Sequence, residues 1–240
     1  AAVRSSQRVA AESELRAIFN AGRGWNHYSG HGVPAGFDNP KFTTTNASAM
    51  SNVGKPGIFI GSCCYTGKFA STCLAEVMMR RGDKAGAVAY IGASDASYWD
   101  DDFYWSVGYR KKISPSMHRA EDGYNAQWLG MYDRLFHAAG EPYGEWRTTM
   151  GAMVQAGNMA VAIGDPGTYS EYYWEVYHLF GDPAMMPWLG VAENIDLLVD
   201  GQPFVADGAV RVSAAPYARV ALVDNLSDSL LAVATADASG

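Results

Sequence analysis

Cysteine, basic residues and long apolar segments are all scarce in this sequence of 240 residues, and each scarcity argues against a class of protein. The three cysteines, at positions 63, 64 and 73, form no CxxC pair, which disfavours a disulfide scaffold and a structural zinc site. The 18 Lys and Arg residues are outnumbered by 25 Asp and Glu residues, so the net charge is −7 and no nucleic-acid partner is expected. No segment reaches the roughly 20 apolar residues of a membrane-spanning helix, so no membrane span is expected.

The remaining composition supports a hydrophobic core and two domains. Hydrophobic residues make up 48% of the chain and charged residues 18%, which excludes an intrinsically disordered protein. Only Phe204 and Tyr217 among the Trp, Tyr and Phe residues lie beyond residue 190. Residues 191–240 account for −5 of the net charge of −7. These shifts in composition predict a first domain over residues 1–190 and a second over residues 191–240.

The first domain has the pattern of an α/β fold. Strands are predicted at residues 25–29, 58–62 and 86–92, and a helix at 73–81 lies between the last two. A strand, a helix and a strand in succession predict a parallel sheet with right-handed crossovers. Further helices are predicted at residues 6–21, 46–50, 122–139, 145–163 and 170–180, and a loop at residues 33–45.

The second domain is predicted to be all β. Short strands are expected at residues 195–199, 209–213, 218–223 and 229–235, separated by Asp-Gly and Asp-Asn turns. The set predicts part of a small β-sandwich, and we expect this sandwich to be incomplete.

One histidine and one cysteine follow predicted strand ends. His31 lies between two glycines just after residues 25–29, and Cys64 comes directly after residues 58–62. Parallel sheets bind ligands at the carboxyl ends of their strands, so the two side chains are expected at one edge of the sheet. A catalytic thiol needs a partner that takes and returns a proton near neutral pH, and histidine does both. The other four histidines, including His27, are interpreted as structural.

Several motifs resemble one known family in the same order and with similar spacing. The chain resembles the gingipain-type cysteine peptidases of the caspase-like clan, over about residues 25–189. The matching segments are residues 28–32 (YSGHG), 60–64 (IGSCC), 76–78 (EVM), 89–92 (AYIG), 97–108 (SYWDDDFYWSVG) and 172–175 (YYWE). The resemblance implies a caspase-like three-layer α/β/α sheet followed by a small immunoglobulin-like β-sandwich. It also implies a secreted or bacterial cell-surface protein.

The resemblance also implies roles for individual residues. Cys64 would be the nucleophile and His31 the general acid and base, while the backbone N–H groups of Gly32 and Cys64 would form the oxyanion hole. Cys63 would point to the opposite side of the strand and pack inside. The sequence departs from close family members at Ser62, where they have Asn.

A second departure concerns the part of the fold that precedes the first strand. Family members have further strands, a preceding subdomain and an acidic residue near the histidine, all upstream of residue 1 here. A second chain or an upstream segment is therefore expected to complete the sheet.

The acidic triplet at residues 100–102 has three interpretations. It could be a solvated turn that caps a helix starting at Phe103. Clustered carboxylates also suit a structural calcium ion, although the thiol chemistry itself requires no cofactor. In lysine-cleaving relatives the matching Trp and last acid line the primary specificity pocket, and Trp99 and Asp102 occupy those positions. Capping and substrate selection are weighed equally for Asp102, and the choice between Lys and Arg stays open.

The main functional prediction is a cysteine endopeptidase that cleaves protein or peptide substrates, after Lys or Arg. One alternative is a non-catalytic surface adhesin or scaffold on the same fold, which the presence of both His31 and Cys64 argues against. The other is a cysteine-dependent amidase or transpeptidase.

Overall fold

The computed structural model describes residues 11–82, 84–108, 111–114, 117–119, 129–136, 141–187, 198–200 and 211–240. Contacts divide the chain into two compact units, Ala1–Leu189 and Gly190–Gly240. The predicted helix at residues 122–139 lies largely outside the described residues, as do parts of the predicted strands at 195–199 and 209–213. None of the helices in the described ranges is long and apolar enough to cross a membrane.

The first unit alternates strands and helices. The helices are α1 (Glu12–Asn20), α2 (Thr44–Ser48), α3 (Leu74–Met79), α4 (Trp99–Val107), α5 (Met131–Phe136), α6 (Met150–Gly164) and α7 (Tyr172–Val176), with a 3₁₀ turn at Tyr143–Glu145. The strands are β1 (Trp25–Ser29), β2 (Gly32–Val33), β3 (Gly36–Phe37), β4 (Phe42–Thr43), β5 (Gly57–Ser62), β6 (Ala87–Ala93), β7 (Lys111–Ser114), β8 (Met117–Arg119) and β9 (Tyr177–Phe180).

A four-stranded sheet forms the centre of this unit, in the order β1-β5-β6-β9. Strands β1, β5 and β6 are parallel, as predicted, and β9 pairs antiparallel with β6. All six residues of β5 are buried, which explains why its sequence is apolar throughout. The parallel register aligns Ser29 with Ser62 at the carboxyl ends of β1 and β5, so the residues that follow these strands begin side by side.

Alternate residues of β5 belong to two different hydrophobic clusters. Ile58 and Ile60 pack with residues of α4, α5 and α6, whereas Phe59 packs with residues of α1, α2 and α3. Helices therefore contribute to the core on both faces of the sheet, which is the arrangement expected for an α/β fold.

Close packing between α4 and α6 fixes the position of α4. The fully buried indole of Trp105 lies against Gly157, where any side chain would collide with the ring. Its N–H donates to Oδ1 of Asn158 at 2.9 Å. These contacts set the direction of α4, whose first turn carries Trp99 and the acidic triplet.

Two local predictions were wrong, and one predicted helix has different bounds from those predicted. Residues 170–180 form α7 followed by β9 rather than one helix, because residues 177–180 pair with β6. The predicted loop at residues 33–45 contains the small antiparallel sheet β2-β3-β4. The predicted helix at 46–50 is α2, which begins at Thr44 and is capped by Thr43 through a capping box with Asn46.

The described part of the second unit consists of two antiparallel strand pairs. Strand β10 (Leu198–Asp200) pairs with β11 (Arg211–Ser213), and β12 (Arg219–Val223) pairs with β13 (Leu230–Thr235). The short strands agree with the predicted β character, and the β-sandwich itself stays a prediction.

Candidate active site

His31 is presented by a short turn after β1. The N–H of Gly30 donates to the carbonyl of Ser62 at 3.2 Å, which continues the pairing of β1 with β5 by one residue. The carbonyl of His31 accepts from the hydroxyl of Tyr28 at 2.8 Å and from the N–H of Asp38 at 3.0 Å. The backbone is thus anchored while the side chain stays exposed, with its ring 5.4 Å from that of Trp99 in an edge-on contact.

The two adjacent cysteines after β5 have different environments. Cys63 is buried, as predicted, and its Sγ lies 3.6 Å from Oγ1 of Thr66. Burial raises the pKa of the Cys63 thiol to about 12, so this thiol is protonated at neutral pH. Cys64 is half-buried, and its Sγ accepts from the N–H of Ser97 at 3.4 Å. The alternation of a strand therefore leaves Cys64 as the more accessible of the two thiols.

Gly32 brings the histidine segment against the cysteine pair. A Cβ atom at this position would lie 2.7 Å from Sγ of Cys63 and 2.8 Å from the carbonyl oxygen of Cys64. Real Cβ atoms do not approach other atoms so closely, so glycine is needed for the backbone after His31 to pack here. The structure thereby places His31, Gly32, Cys64 and Trp99 at the carboxyl ends of β1, β5 and β6.

Asp102 lies three residues after Trp99, within the first turn of α4, and only 6% of it is exposed. Its carboxylate accepts from three hydroxyl groups: Ser97 at 2.8 Å, Tyr173 at 2.9 Å and Tyr177 at 2.7 Å. Burial raises the pKa of Asp102 to about 6 even though the three donors favour the ionised form. At neutral pH the site therefore contains a buried, negatively charged carboxylate.

The solvated-turn interpretation of residues 100–102 was wrong. Helix α4 begins at Trp99, four residues earlier than expected, so the triplet lies inside its first turn and Tyr98 is the N-cap residue without a side-chain cap. Asp101 and Asp102 are buried, whereas Asp100 is exposed. Asp102 thus binds side chains of other elements instead of capping a helix. Among the residues that the structure describes, no three His, Cys, Asp or Glu side chains are placed to hold a metal ion.

Sequence reasoning did not identify the residues that surround Asp102 and Cys64. Ser97 contacts both groups, since its N–H reaches the sulfur of Cys64 and its hydroxyl reaches Asp102. Tyr173 and Tyr177 are 71 and 75 residues away from Asp102 in the chain. The sequence signal for this pair was the four-residue spacing of the two tyrosines, which brings side chains together in a helix. In the structure Tyr173 lies in α7 and Tyr177 begins β9.

His27 also has a definite environment. Its Nδ1 lies 2.7 Å from the hydroxyl of Tyr132, and its Nε2 lies 2.8 Å from Oγ of Ser62. The ring stacks on that of Tyr132 at a centroid distance of 5.5 Å. Both ring nitrogens of His27 have partners, and the structural role of this histidine stays a prediction.

Comparisons with known proteins identify proteins that are similar in sequence and fold. The sequence model of Peptidase family C25 matches residues 1–188. The chain is 35% identical over 176 residues to Lys-gingipain of Porphyromonas gingivalis, an alignment that covers 70% of this chain and 10% of the relative. A solved protease structure is similar with a TM-score of 0.77 and 28% identity, over 96% of this chain and 50% of that chain.

A second solved structure is similar in fold. The crystal structure of the Arg-specific cysteine proteinase gingipain R has a TM-score of 0.71 at 18% identity, over 96% of this chain and 48% of that chain. The chain therefore spans about half of each of these solved structures and 10% of the curated relative.

Proposed function

The chain belongs to peptidase family C25, and we propose that it carries the Cys-His dyad of a cysteine endopeptidase that cleaves after a basic residue. The observation that carries the proposal is the packing of the His31–Gly32 segment against the cysteine pair. Cys64 is the accessible member of this pair, and Cys63 is a buried neighbour with a raised pKa.

The proposed chemistry follows the usual steps of a thiol peptidase. His31 accepts the proton of the Cys64 thiol, and the thiolate sulfur forms a bond with the carbonyl carbon of the substrate. The N–H groups of Gly32 and Cys64 stabilise the negative charge that develops on the carbonyl oxygen. His31 then protonates the leaving amine as the peptide bond breaks. Water attacks the resulting thioester and releases the acid, which restores the thiol without a cofactor.

The proposed primary specificity pocket contains Trp99 and Asp102. The indole of Trp99 is 61% exposed and touches the ring of His31, so it is available to pack along the aliphatic part of a substrate side chain. The carboxylate of Asp102 would bind the cationic end. We propose Lys or Arg as the recognised residue, and the identity with Lys-gingipain favours Lys.

The remaining expectations are proposals of the same kind. In the described chain β1 pairs on one side only, with β5, and its residues His27 and Ser29 are exposed. An upstream segment or a second chain that adds strands at this edge would complete a caspase-like three-layer sheet. We also propose a structural calcium ion in the complete protein, an immunoglobulin-like second domain, and a secreted or cell-surface location.

Alkylation and cleavage together test the proposed function. The protein is treated with iodoacetamide, the modified cysteines are identified by mass spectrometry, and cleavage of Lys, Arg and Gln peptides is measured before and after. We expect Cys64 to react first and cleavage to stop with its modification, because Cys63 is buried and protonated.

The matched variants are Cys64→Ala and Cys63→Ala. Cys64→Ala should abolish cleavage and leave folding nearly intact, whereas Cys63→Ala should retain cleavage. Equal activity of the wild type and Cys64→Ala would overturn the assignment. Alkylation of Cys64 without any peptide cleavage would favour an amidase or transpeptidase, and an unreactive Cys64 would favour the adhesin.

A further inference from the structure

An acidic cavity is lined in part by Trp99, whose ring also contacts that of His31. Its volume is about 400 Å³, and it lies between the N-terminal turn of α4 and the C-terminal end of α6. Three of the residues that line it are carboxylates, Asp100, Asp101 and Asp165. Tyr98, Trp99 and Tyr169 contribute aromatic walls, with the rings of Tyr98 and Tyr169 stacked at 4.1 Å. Among the described residues, none of those that line the cavity is basic.

One carboxylate oxygen among the residues that line this cavity lacks a hydrogen-bond partner. Asp101 is 4% exposed, and its Oδ1 is buried without any hydrogen-bond donor. Burial together with the charge of Asp165 raises the pKa of Asp101 to about 6. Asp102 differs, since its carboxylate is satisfied by three hydroxyl groups. A buried acceptor without a donor costs free energy, and a cation bound by this carboxylate group would offset part of that cost.

The lining favours an organic cation over a metal ion. Calcium takes six to eight oxygen ligands, and no metal-binding group of three His, Cys, Asp or Glu occurs in the described part of the chain. Aromatic faces bind ammonium and guanidinium groups, and carboxylates accept their N–H bonds. The combination of both is suited to the end of a Lys or Arg side chain.

The cavity is close to the proposed dyad. Trp99 contacts the ring of His31 and also lines the cavity. Tyr98 lines the cavity as well and follows Ser97, which contacts Cys64. An extended peptide advances about 3.3–3.6 Å per residue. Because Trp99 both contacts His31 and lines the cavity, we place the second basic residue at a position near the scissile bond.

We propose that this cavity is a second cation-binding subsite, which receives a basic side chain of the substrate at a position flanking the scissile bond. The proposal rests on the proposed peptidase function and extends it, since the substrate class becomes peptides with two nearby basic residues. Asp101 and Asp165 bind the flanking cation, and Asp102 belongs to the primary pocket.

A matched peptide series tests the second subsite. Each peptide has Lys before the scissile bond and either Lys or Gln at one of the three positions on each side, and kcat/KM is measured at low and at physiological salt. We expect the wild type to prefer Lys over Gln about tenfold or more at one flanking position. Asp101→Asn and Asp165→Asn should reduce this ratio towards one, and neither should change the preference before the scissile bond.

Two further variants separate this proposal from the proposed function. Asp102→Asn should change only the preference before the scissile bond, and Asp182→Asn, an exposed carboxylate outside the cavity, should change neither. If the protein cleaves no peptide, binding of a fluorescent Lys-containing peptide to Cys64→Ala is measured by anisotropy. Weaker binding after Asp101→Asn and Asp165→Asn would then support the subsite even though the peptidase proposal had failed.

Two results would overturn the second subsite. One is a Lys-to-Gln ratio at the flanking positions that is the same in the wild type, Asp101→Asn and Asp165→Asn. If the protein cleaves no peptide, the corresponding result is a peptide affinity that neither substitution changes. The other is calcium binding to the wild type that is lost in Asp101→Asn while peptide selectivity is unaffected. Thermal unfolding of each variant shows that an altered ratio does not come from an unfolded protein, and agreement between the two variants excludes a local distortion at one of them.

Discussion

The buried carboxylate of Asp102 should make the stability of the protein depend on pH in a predictable way. Its pKa is 3.8 in an unfolded chain and about 6 in the folded protein. Between these values the folded protein holds a proton that the unfolded chain has released. The free energy of unfolding therefore falls as the pH rises from about 4 to about 6, and the cost remains in full above pH 6.

The size of this effect follows from the difference between the two pKa values. Each pH unit corresponds to 1.36 kcal/mol, so a rise from 3.8 to about 6 costs about 3 kcal/mol at neutral pH. Asp102→Asn places a neutral side chain of the same shape among the three hydroxyl groups at every pH. Relative to the wild type, we expect the variant to gain about 2–3 kcal/mol in free energy of unfolding between pH 4 and pH 7.5.

Urea unfolding measures this difference. The tryptophan fluorescence of the wild type and of Asp102→Asn is followed at several pH values between 4 and 7.5. Asp182→Asn is the control, because its exposed side chain accepts one backbone N–H that Asn can also accept. A pH dependence that is the same in the wild type and in Asp102→Asn would refute the assignment of a raised pKa to this residue.

The remaining predictions concern the site. Gly32→Ala should lower kcat/KM for a Lys peptide by at least tenfold because its Cβ collides with the cysteine pair. Gly144→Ala is the control, since no atom lies within 4 Å of its new Cβ. Equal kcat/KM values for the wild type and Gly32→Ala would contradict the close packing at Gly32. Cys63→Ala should lower the free energy of unfolding by about 1 kcal/mol, measured in urea, through the lost packing of a buried side chain. Asp102→Asn should reduce the Lys-to-Gln ratio of kcat/KM about 30-fold or more, and an unchanged ratio would remove Asp102 from the pocket. The kcat/KM for cleavage after Lys should decline below about pH 6 as Asp102 is protonated. Tyr177→Phe removes a hydrogen-bond donor that lowers the pKa of Asp102, so this variant should show the decline at higher pH. A pH profile of kcat/KM that is the same in Tyr177→Phe and the wild type would contradict the role of Tyr177.

The strands that precede His31 and Cys64 could be predicted from the sequence because their signals are local. A short apolar segment such as residues 58–62 is typical of a strand that is buried on both faces of a sheet. Two such strands with a helix between them are expected to pair in parallel. Alternation along the strand then separates Cys63 from Cys64, and the structure has Cys63 buried and Cys64 half-buried.

Only the tertiary structure decided which side chains meet around the candidate site. Residues 177–180 became a strand because β6 offered an unpaired edge, although the local pattern favoured a helix. The acidic triplet comprises an exposed Asp100, a buried Asp101 with one oxygen that lacks a donor, and a buried Asp102 that accepts three hydroxyl hydrogen bonds. The three residues are nevertheless identical in type and adjacent in sequence. The donors of Asp102 include hydroxyls more than 70 residues away. Local propensity contains no information about such contacts, since they depend on where whole elements pack, and the burial that shifts a pKa depends on the same packing.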